Sequence, residues 1–327
     1  MANARQNLVT RFFCTLLVLA FLPWMAAQAA NFPERTVRLV VGIAPGGATD
    51  AVARVLAQKL SDVWGQAVIV ENRTGGEGTI ASNTVAHAAP DGHTLLLVTT
   101  NFTLTPNQFK VAFDAEKSFA PITTLGQTPE LLIVNPATLP VNSLAELIAL
   151  ARAKPGTINF GTGGTSSPTY MITKLMMKAT GIEMVNVSYH GMGPALVALL
   201  GGEVQMMFGA ASDSAEHIKS GKLRAIAVST AKRTPQMPDV PSVAEAANIP
   251  GFDATAWYGL LAPAGTPPAV IAKLHDDVVA VLADPAIAKR LQNEGFLVQT
   301  NTPAEFGAFI HADLAKWAEI YKDFKTQ

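Results

Sequence analysis

The chain has 327 residues, of which 49% are hydrophobic and 15% charged, with 25 glycines and 21 prolines. That balance is too apolar for a disordered chain and too interrupted for a coiled coil. The 24 basic residues are matched by 25 acidic ones, which argues against nucleic-acid binding as the main activity. Two domains fit the length, because single cores stop growing beyond roughly 250 residues.

The first thirty residues read as an address. Arg5 and Arg11 precede the apolar run Phe12–Ala27, and Ala27-Gln28-Ala29 forms a small-x-small box. This three-part pattern predicts a secretory signal peptide over 1–29, cleaved after Ala29 or one residue later. The competing reading is a membrane anchor, but the run is short of the roughly 20 residues a span needs and contains Pro23. Cleavage removes Arg5 and Arg11, moving the net charge from −1 to −3, and removes Cys14, the only cysteine. The mature chain then has no disulfide, no cysteine metal ligand and no thiol nucleophile. An exported soluble protein of this kind fits the bacterial periplasm better than a disulfide-rich extracellular scaffold.

Along the mature chain, Thr36–Ile43 is a β-branched strand, and Pro45–Asp50 a glycine turn. Val52, Val55, Leu56, Leu60 and Val63 then recur at helical spacing. Ala67–Glu71 repeats the strand, Gly75–Gly78 the turn and Thr79–Ala88 the helix; Pro90-Asp91-Gly92 leads into the strand Thr94–Thr99. Two β-α-β crossovers predict a mostly parallel sheet covered by helices. Ile122–Leu125 and Leu131–Val134 are apolar with no helix between them, and are read as a passage between domains. A second series follows: helix Leu144–Ala153, strand Ile158–Phe160, helix Thr169–Thr180, strand Glu183–Val187 and helix Pro194–Leu200. Strand Val204–Phe208, helix Ser214–Ser220 and strand Leu223–Ser229 complete it. Trp257–Ala262 returns to the first domain, and helices Ala269–Ala283, Pro285–Glu294 and Pro303–Lys322 finish the chain. The fold class is therefore α/β, with two lobes: 30–130 with 255–327, and 131–254. A ligand cleft is expected between them, with the two crossings permitting a hinge.

The polar glycine turns carry the chemistry. Ala44, Gly46, Gly47, Ala48 and Thr49 lie between a strand and a helix, where several N–H groups lack helical partners and can converge on an anionic oxygen. Thr49 or Asp50 could cap that helix. Gly161–Thr169 is a second such turn, with five hydroxyls and no charge; it supplies Thr165, Ser166, Ser167 and Thr169. Two turns of this character would hold a carboxylate by neutral donors, outside the carboxyl ends of strands. Asn101 and Phe102 are a third edge. Tyr189 and His190 are candidate cleft residues, Trp257 another aromatic wall. Asp213 is read first as a helix cap and second as a partner for a ligand ammonium or hydroxyl. Glu77 is assigned to the fold or to a rim contact. No phosphate-loop, dinucleotide, serine-elbow or H-E-x-x-H motif occurs, and the six histidines are scattered. No cofactor or metal is expected, and there is no positive case for catalysis.

Val40–Asp50, Val70–Gly78, Pro90–Leu95, Gly201–Gln205, Leu223–Ala227 and Trp257–Pro267 occur in the order found in one family. Together with the leader, the chain resembles the Bug receptors of tripartite tricarboxylate transporters. The resemblance implies a periplasmic solute-binding flytrap fold, with Ala44–Asp50 and Gly163–Thr169 gripping a ligand carboxylate through amides, hydroxyls and water. Ile43-Ala44 stands where the family more often has a bulky aromatic, and Thr165–Thr169 departs from its frequent Gly-Ser-x-x-His arrangement. The implied function is capture of a small organic acid, aromatic or aliphatic, and delivery to a membrane permease. The alternative is sensing for a signalling partner. A monomer is expected.

Overall fold

The computed structural model describes residues 32–324 apart from Gly47, Thr165, Ser166, Gln236 and Glu294. The expected signal peptide with Cys14, and the candidates Gly47, Thr165 and Ser166, lie outside the described residues. The chain forms two compact units. One comprises 1–125, 259–287 and 300–327, the other 126–258 and 288–299. The sequence reading had kept 255–327 together; here 288–299 groups with the second unit.

In the first unit, β1 (Val37–Val41) lies parallel between β2 (Val68–Asn72) and β3 (Thr94–Thr99). The connections are α1 (Ala48–Trp64) and α2 (Thr79–Ala86). α1 buries Val52, Val55, Leu56 and Leu60, one stripe at spacings of three and four. The consecutive residues Leu95–Val98 of β3 are all buried, as expected of a strand covered on both faces. α3 (Asn101–Gln108) follows β3 directly. Its sequence, with two threonines, two asparagines and an internal Pro106, has little helical propensity, and tertiary contacts hold it. Phe102 and Leu104 are buried, and Thr103 Oγ1 donates to Asp313 Oδ2 at 2.6 Å.

Next come β4 (Phe119–Thr128), β5 (Glu130–Val134), α4 (Leu144–Ala153), β6 (Asn159–Thr162), α5 (Pro168–Thr180), β7 (Val185–Ser188) and α6 (Met192–Gly201). β8 (Met206–Ala210), α7 (Ala211–Lys219), β9 (Arg224–Val228) and α8 (Val243–Ala246) continue the series. β10 (Ala256–Pro263), α9 (Pro268–Ala283), α10 (Pro285–Asn293), β11 (Leu297–Val298) and α11 (Pro303–Phe324) end it. A six-stranded sheet has the order β11-β4-β10-β3-β1-β2, and a five-stranded sheet the order β7-β6-β8-β5-β9.

In the five-stranded sheet, β6 is parallel to β7 and β8, whereas β5 is antiparallel to β8 and β9. Alternation along β5 shows why helices cover both faces. Leu132 and Val134 enter one core with Phe160, Ile172 and Phe208. Leu131 and Ile133 enter another with Ala195, Leu199 and Val204. α11 is tied to α3 through Asp313, which is 3% exposed and also accepts from Trp317 Nε1 at 3.0 Å and pairs with Lys316 Nζ at 2.7 Å. No helix among the described residues is long and apolar enough to cross a membrane.

Candidate functional site

β1, β2 and β3 run parallel, so the segments leaving Val41, Asn72 and Thr99 emerge at one edge of the sheet. They enclose a cavity of about 270 Å³ within the first unit. Gly42, Ile43 and Ala44 come from the first segment, Thr74, Gly75, Glu77 and Gly78 from the second, and Asn101 and Phe102 from the third. Ser82 and Leu96–Thr99 complete the wall. This is the edge at which open parallel sheets bind ligands. Close approach of the first two segments depends on glycine: a Cβ on Gly42 would lie 2.7 Å from Gly78 Cα.

The second segment has an unusual backbone. Gly75, Gly76, Glu77 and Gly78 all have positive φ, at 118°, 56°, 54° and 90°. Glycine adopts that region freely, whereas a glutamate there is strained. The Glu77 carboxylate accepts from Asn101 Nδ2 at 3.2 Å. Asn101 Oδ1 is buried and has no hydrogen-bond partner. Among the described residues, no lysine, arginine or histidine lines the cavity.

Beside the cavity, the first turn is closed by its own helix. Gly46, at φ 92°, donates its N–H to Asp50 Oδ2 at 3.0 Å. Arg54 Nε donates to the same oxygen at 2.8 Å, and Asn72 Nδ2 to Asp50 Oδ1 at 2.9 Å. The Arg54 hydrogen bond, with those from Gly46 and Asn72, holds the Asp50 carboxyl at about 2 despite its burial. Asp50 therefore caps the turn, and the Gly46 amide offered to a ligand by the sequence reading is committed to it. Asn72 also donates to Ile43 O at 3.1 Å, fixing the cavity wall to the same network. Thr49 is buried in the first turn of α1, and Ala48 opens that helix.

In the second unit, the described residues of the turn after β6 bond to one another and to α5. Ser167 caps α5: its Oγ accepts from Tyr170 N at 3.3 Å and donates to Gly164 O at 2.7 Å. Thr169 Oγ1 lies 3.1 Å from Ser167 Oγ and 3.3 Å from Met192 Sδ. Tyr189 is half-buried against Ala195, Leu199 and their neighbours; burial and its hydrogen bond to Glu203 push the phenol up. His190 is exposed. Asp213 sits in the first turn of α7, whose N-cap position is Ala210, and its charge acts on Glu130. Glu130 is buried and Oε2 has no hydrogen-bond partner. Burial, with Asp213 nearby, pushes its carboxyl up to about 8.

Of the sequence candidates, Ala44, Asn101 and Phe102 line the cavity, with Gly46 and Thr49 on the adjoining turn. Phe102 also stacks on Phe113 at 5.9 Å and meets Phe119 edge-on at 5.3 Å, so most of its ring is core. Trp257 is buried in β10, at 5% exposure, and is packing rather than an open wall. Thr74, Gly75, Gly78 and Ser82 line the cavity without having been singled out as site residues in the sequence, and Glu77, expected to serve the fold or a rim contact, lines it as an exposed side chain. The signal was present: a glycine run after a strand, interrupted by one charged residue. Among the described residues, no group of three or more metal-ligating side chains is gathered.

Comparison with known proteins gives this geometry a family. The description "Tripartite tricarboxylate transporter family receptor" (TctC) matches residues 52–325. Protein BugT of Bordetella pertussis is 34% identical over 302 residues, covering 90% of this chain and 91% of BugT. The solved structure of MatC from Rhodopseudomonas palustris with bound malate is 33% identical, with a TM-score of 0.70, covering 89% of this chain and all of that one. R. palustris Rpa4515 with adipate is 32% identical, with a TM-score of 0.74 over 89% of this chain and 97% of that one. The two α/β units, the strand-edge cavity and these full-length likenesses agree: the chain belongs to the TctC/Bug family of periplasmic receptors of tripartite tricarboxylate transporters.

Proposed function

We propose that this receptor captures a small organic carboxylate in the periplasm and delivers it to a membrane permease, without chemical turnover. The observation that carries the reading is the cavity at the carboxyl ends of β1, β2 and β3, in a chain whose relatives hold malate and adipate. Among the described residues, the cavity wall offers amides, hydroxyls and an asparagine beside the Glu77 carboxylate, with no cationic side chain. Recognition by such neutral donors avoids the cost of burying an unpaired guanidinium beside an apolar ligand chain. Ala44, Thr49, Asn101 and Phe102 are the contacts proposed from this unit. From the second unit, the turn through Thr165, Ser166, Ser167 and Thr169 is proposed as a further contact, with Tyr189, His190 and Asp213 near it in sequence or fold. The leader 1–29 is proposed to be removed on export.

A thermal-shift screen of the mature protein tests this directly, since a ligand that binds the folded state alone raises apparent stability. Short mono- and dicarboxylates, aromatic acids, amino acids and sugars form the panel. At least one carboxylate should shift the midpoint in a concentration-dependent way. A shift with sugars and with no acid would overturn the reading.

A further inference from the structure

Glu77 is the one feature of the cavity that a simple carboxylate receptor does not explain. Three of the four residues in the positive-φ run 75–78 are glycines, the residue that backbone favours. The fourth is a glutamate, so the conformation does not account for it; the side chain does. Backbone strain of this kind persists where the surroundings hold it, typically at ligand sites. What the side chain presents is acceptor capacity. The carboxylate takes a single side-chain hydrogen bond, from Asn101 Nδ2 at 3.2 Å. That bond also fixes the orientation of the amide, because the flipped amide would set its oxygen against the carboxylate. Asn101 Oδ1 is left buried in the cavity wall with no donor. Glu77 thus brings an exposed acceptor to a cavity that, among the described residues, has no cationic side chain in its wall.

We propose that Glu77, held by Asn101, forms a specificity subsite for a hydrogen-bond-donating group on the ligand, best matched by an ammonium, so that the preferred ligand is a carboxylate bearing an amine or hydroxyl. The proposal rests on the carboxylate reading above and deepens it. A second ligand carboxylate at this end would meet the Glu77 charge with nothing to offset it. An ammonium would pair with the Glu77 carboxylate in a charge-assisted hydrogen bond. A hydroxyl would donate to the same carboxylate without the charge of the ammonium. The cavity then selects among acids by what they carry besides the acid.

The test is calorimetric titration of the mature protein with matched ligands: γ-aminobutyrate, γ-hydroxybutyrate, butyrate and succinate, with butylamine as the acid-free member, and with their longer homologues. The wild type should bind the amino acid at least about tenfold more tightly than the unsubstituted acid or the diacid, as expected for a charge-assisted hydrogen bond. The hydroxy acid should fall between. In Glu77→Gln that preference should shrink to within about threefold, while affinity for the unsubstituted acid is retained. Glu77→Gly should do the same with a melting temperature no lower than wild type, which separates subsite loss from misfolding. Equal binding of butyrate, succinate and the amino acid by the wild type would overturn the subsite and leave carboxylate capture standing. So would a preference unchanged in both variants. Butylamine binding as tightly as its amino acid would overturn the carboxylate reading instead, and no binding across the whole series would overturn both.

Discussion

Glu130 should set the pH dependence of stability in this protein. It opens β5, which lies between β8 and the edge strand β9 of the five-stranded sheet, with its N–H donated to Ser229 Oγ at 3.0 Å and its carbonyl accepting from Ser229 N at 2.8 Å. The side chain is buried, Oε2 is unpartnered, and the nearby charge is that of another acid, Asp213. Burial pushes the carboxyl from an ordinary 4.5 up to about 8. The folded state therefore keeps a proton that the unfolded chain releases near pH 4.5. Stability is fully present below that value and is lost as pH rises towards 8. At about 1.4 kcal/mol for each pH unit, the loss is on the order of 4–5 kcal/mol, a large share of a typical domain's stability. Glutamine keeps the shape and cannot ionise. Urea unfolding of the mature wild type and Glu130→Gln at pH 5 and pH 8 measures the difference. The wild type should lose several kcal/mol more than the variant between the two. Parallel pH dependences would refute the reasoning, because they would mean that the buried carboxyl costs the fold nothing to ionise.

Asp50 works in the opposite direction and in another window: its carboxyl is held at about 2 by Arg54, Gly46 and Asn72. Wild-type stability should fall as pH drops from about 4 through 2, a loss that Asp50→Asn should not show in acid melts; Asp50→Ala should cost about 1–2 kcal/mol at neutral pH as a lost cap. Asp313→Ala removes the acceptor of Thr103 and Trp317 and the partner of Lys316, and should cost about 3–5 kcal/mol in denaturant unfolding. Because Asp313 anchors α3, whose first residue is Asn101, the same variant should weaken carboxylate binding as well.

The order of strands and helices was legible because each β-α step carries its own signals: a β-branched run, a glycine turn, then apolar residues at helical spacing. Val37–Val41 and Leu144–Ala153 show this well, since local pattern and burial agree there. α3 was not legible. Its threonines, asparagines and Pro106 disfavour a helix, and it forms through burial of Phe102 and Leu104 and the distant Asp313. The antiparallel run of β5 was hidden for a similar reason. Its partners lie some seventy or more residues away, and direction is not written in an unbroken apolar strand. In the site, Ala44, Asn101 and Phe102 were legible from strand ends alone. Ser167 and Thr169 were legible as hydroxyls in a strand–helix turn, but not that Ser167 Oγ caps α5, donates to Gly164 O and lies 3.1 Å from Thr169 Oγ1. A sequence shows that a donor exists; its commitment appears only with the fold. Glu77 carried the converse lesson, since its significance lies in a backbone angle that no residue pattern states.

The central claim, capture of a carboxylate at the strand-edge cavity, is tested most directly by a crystal structure of the mature protein with the acid that gives the largest thermal shift. The account predicts the ligand in contact with the 42–44 segment and Asn101, its carboxylate held away from Glu77 and any amine or hydroxyl turned towards it. An acid bound wholly outside that cavity, or with its carboxylate against Glu77, would contradict it.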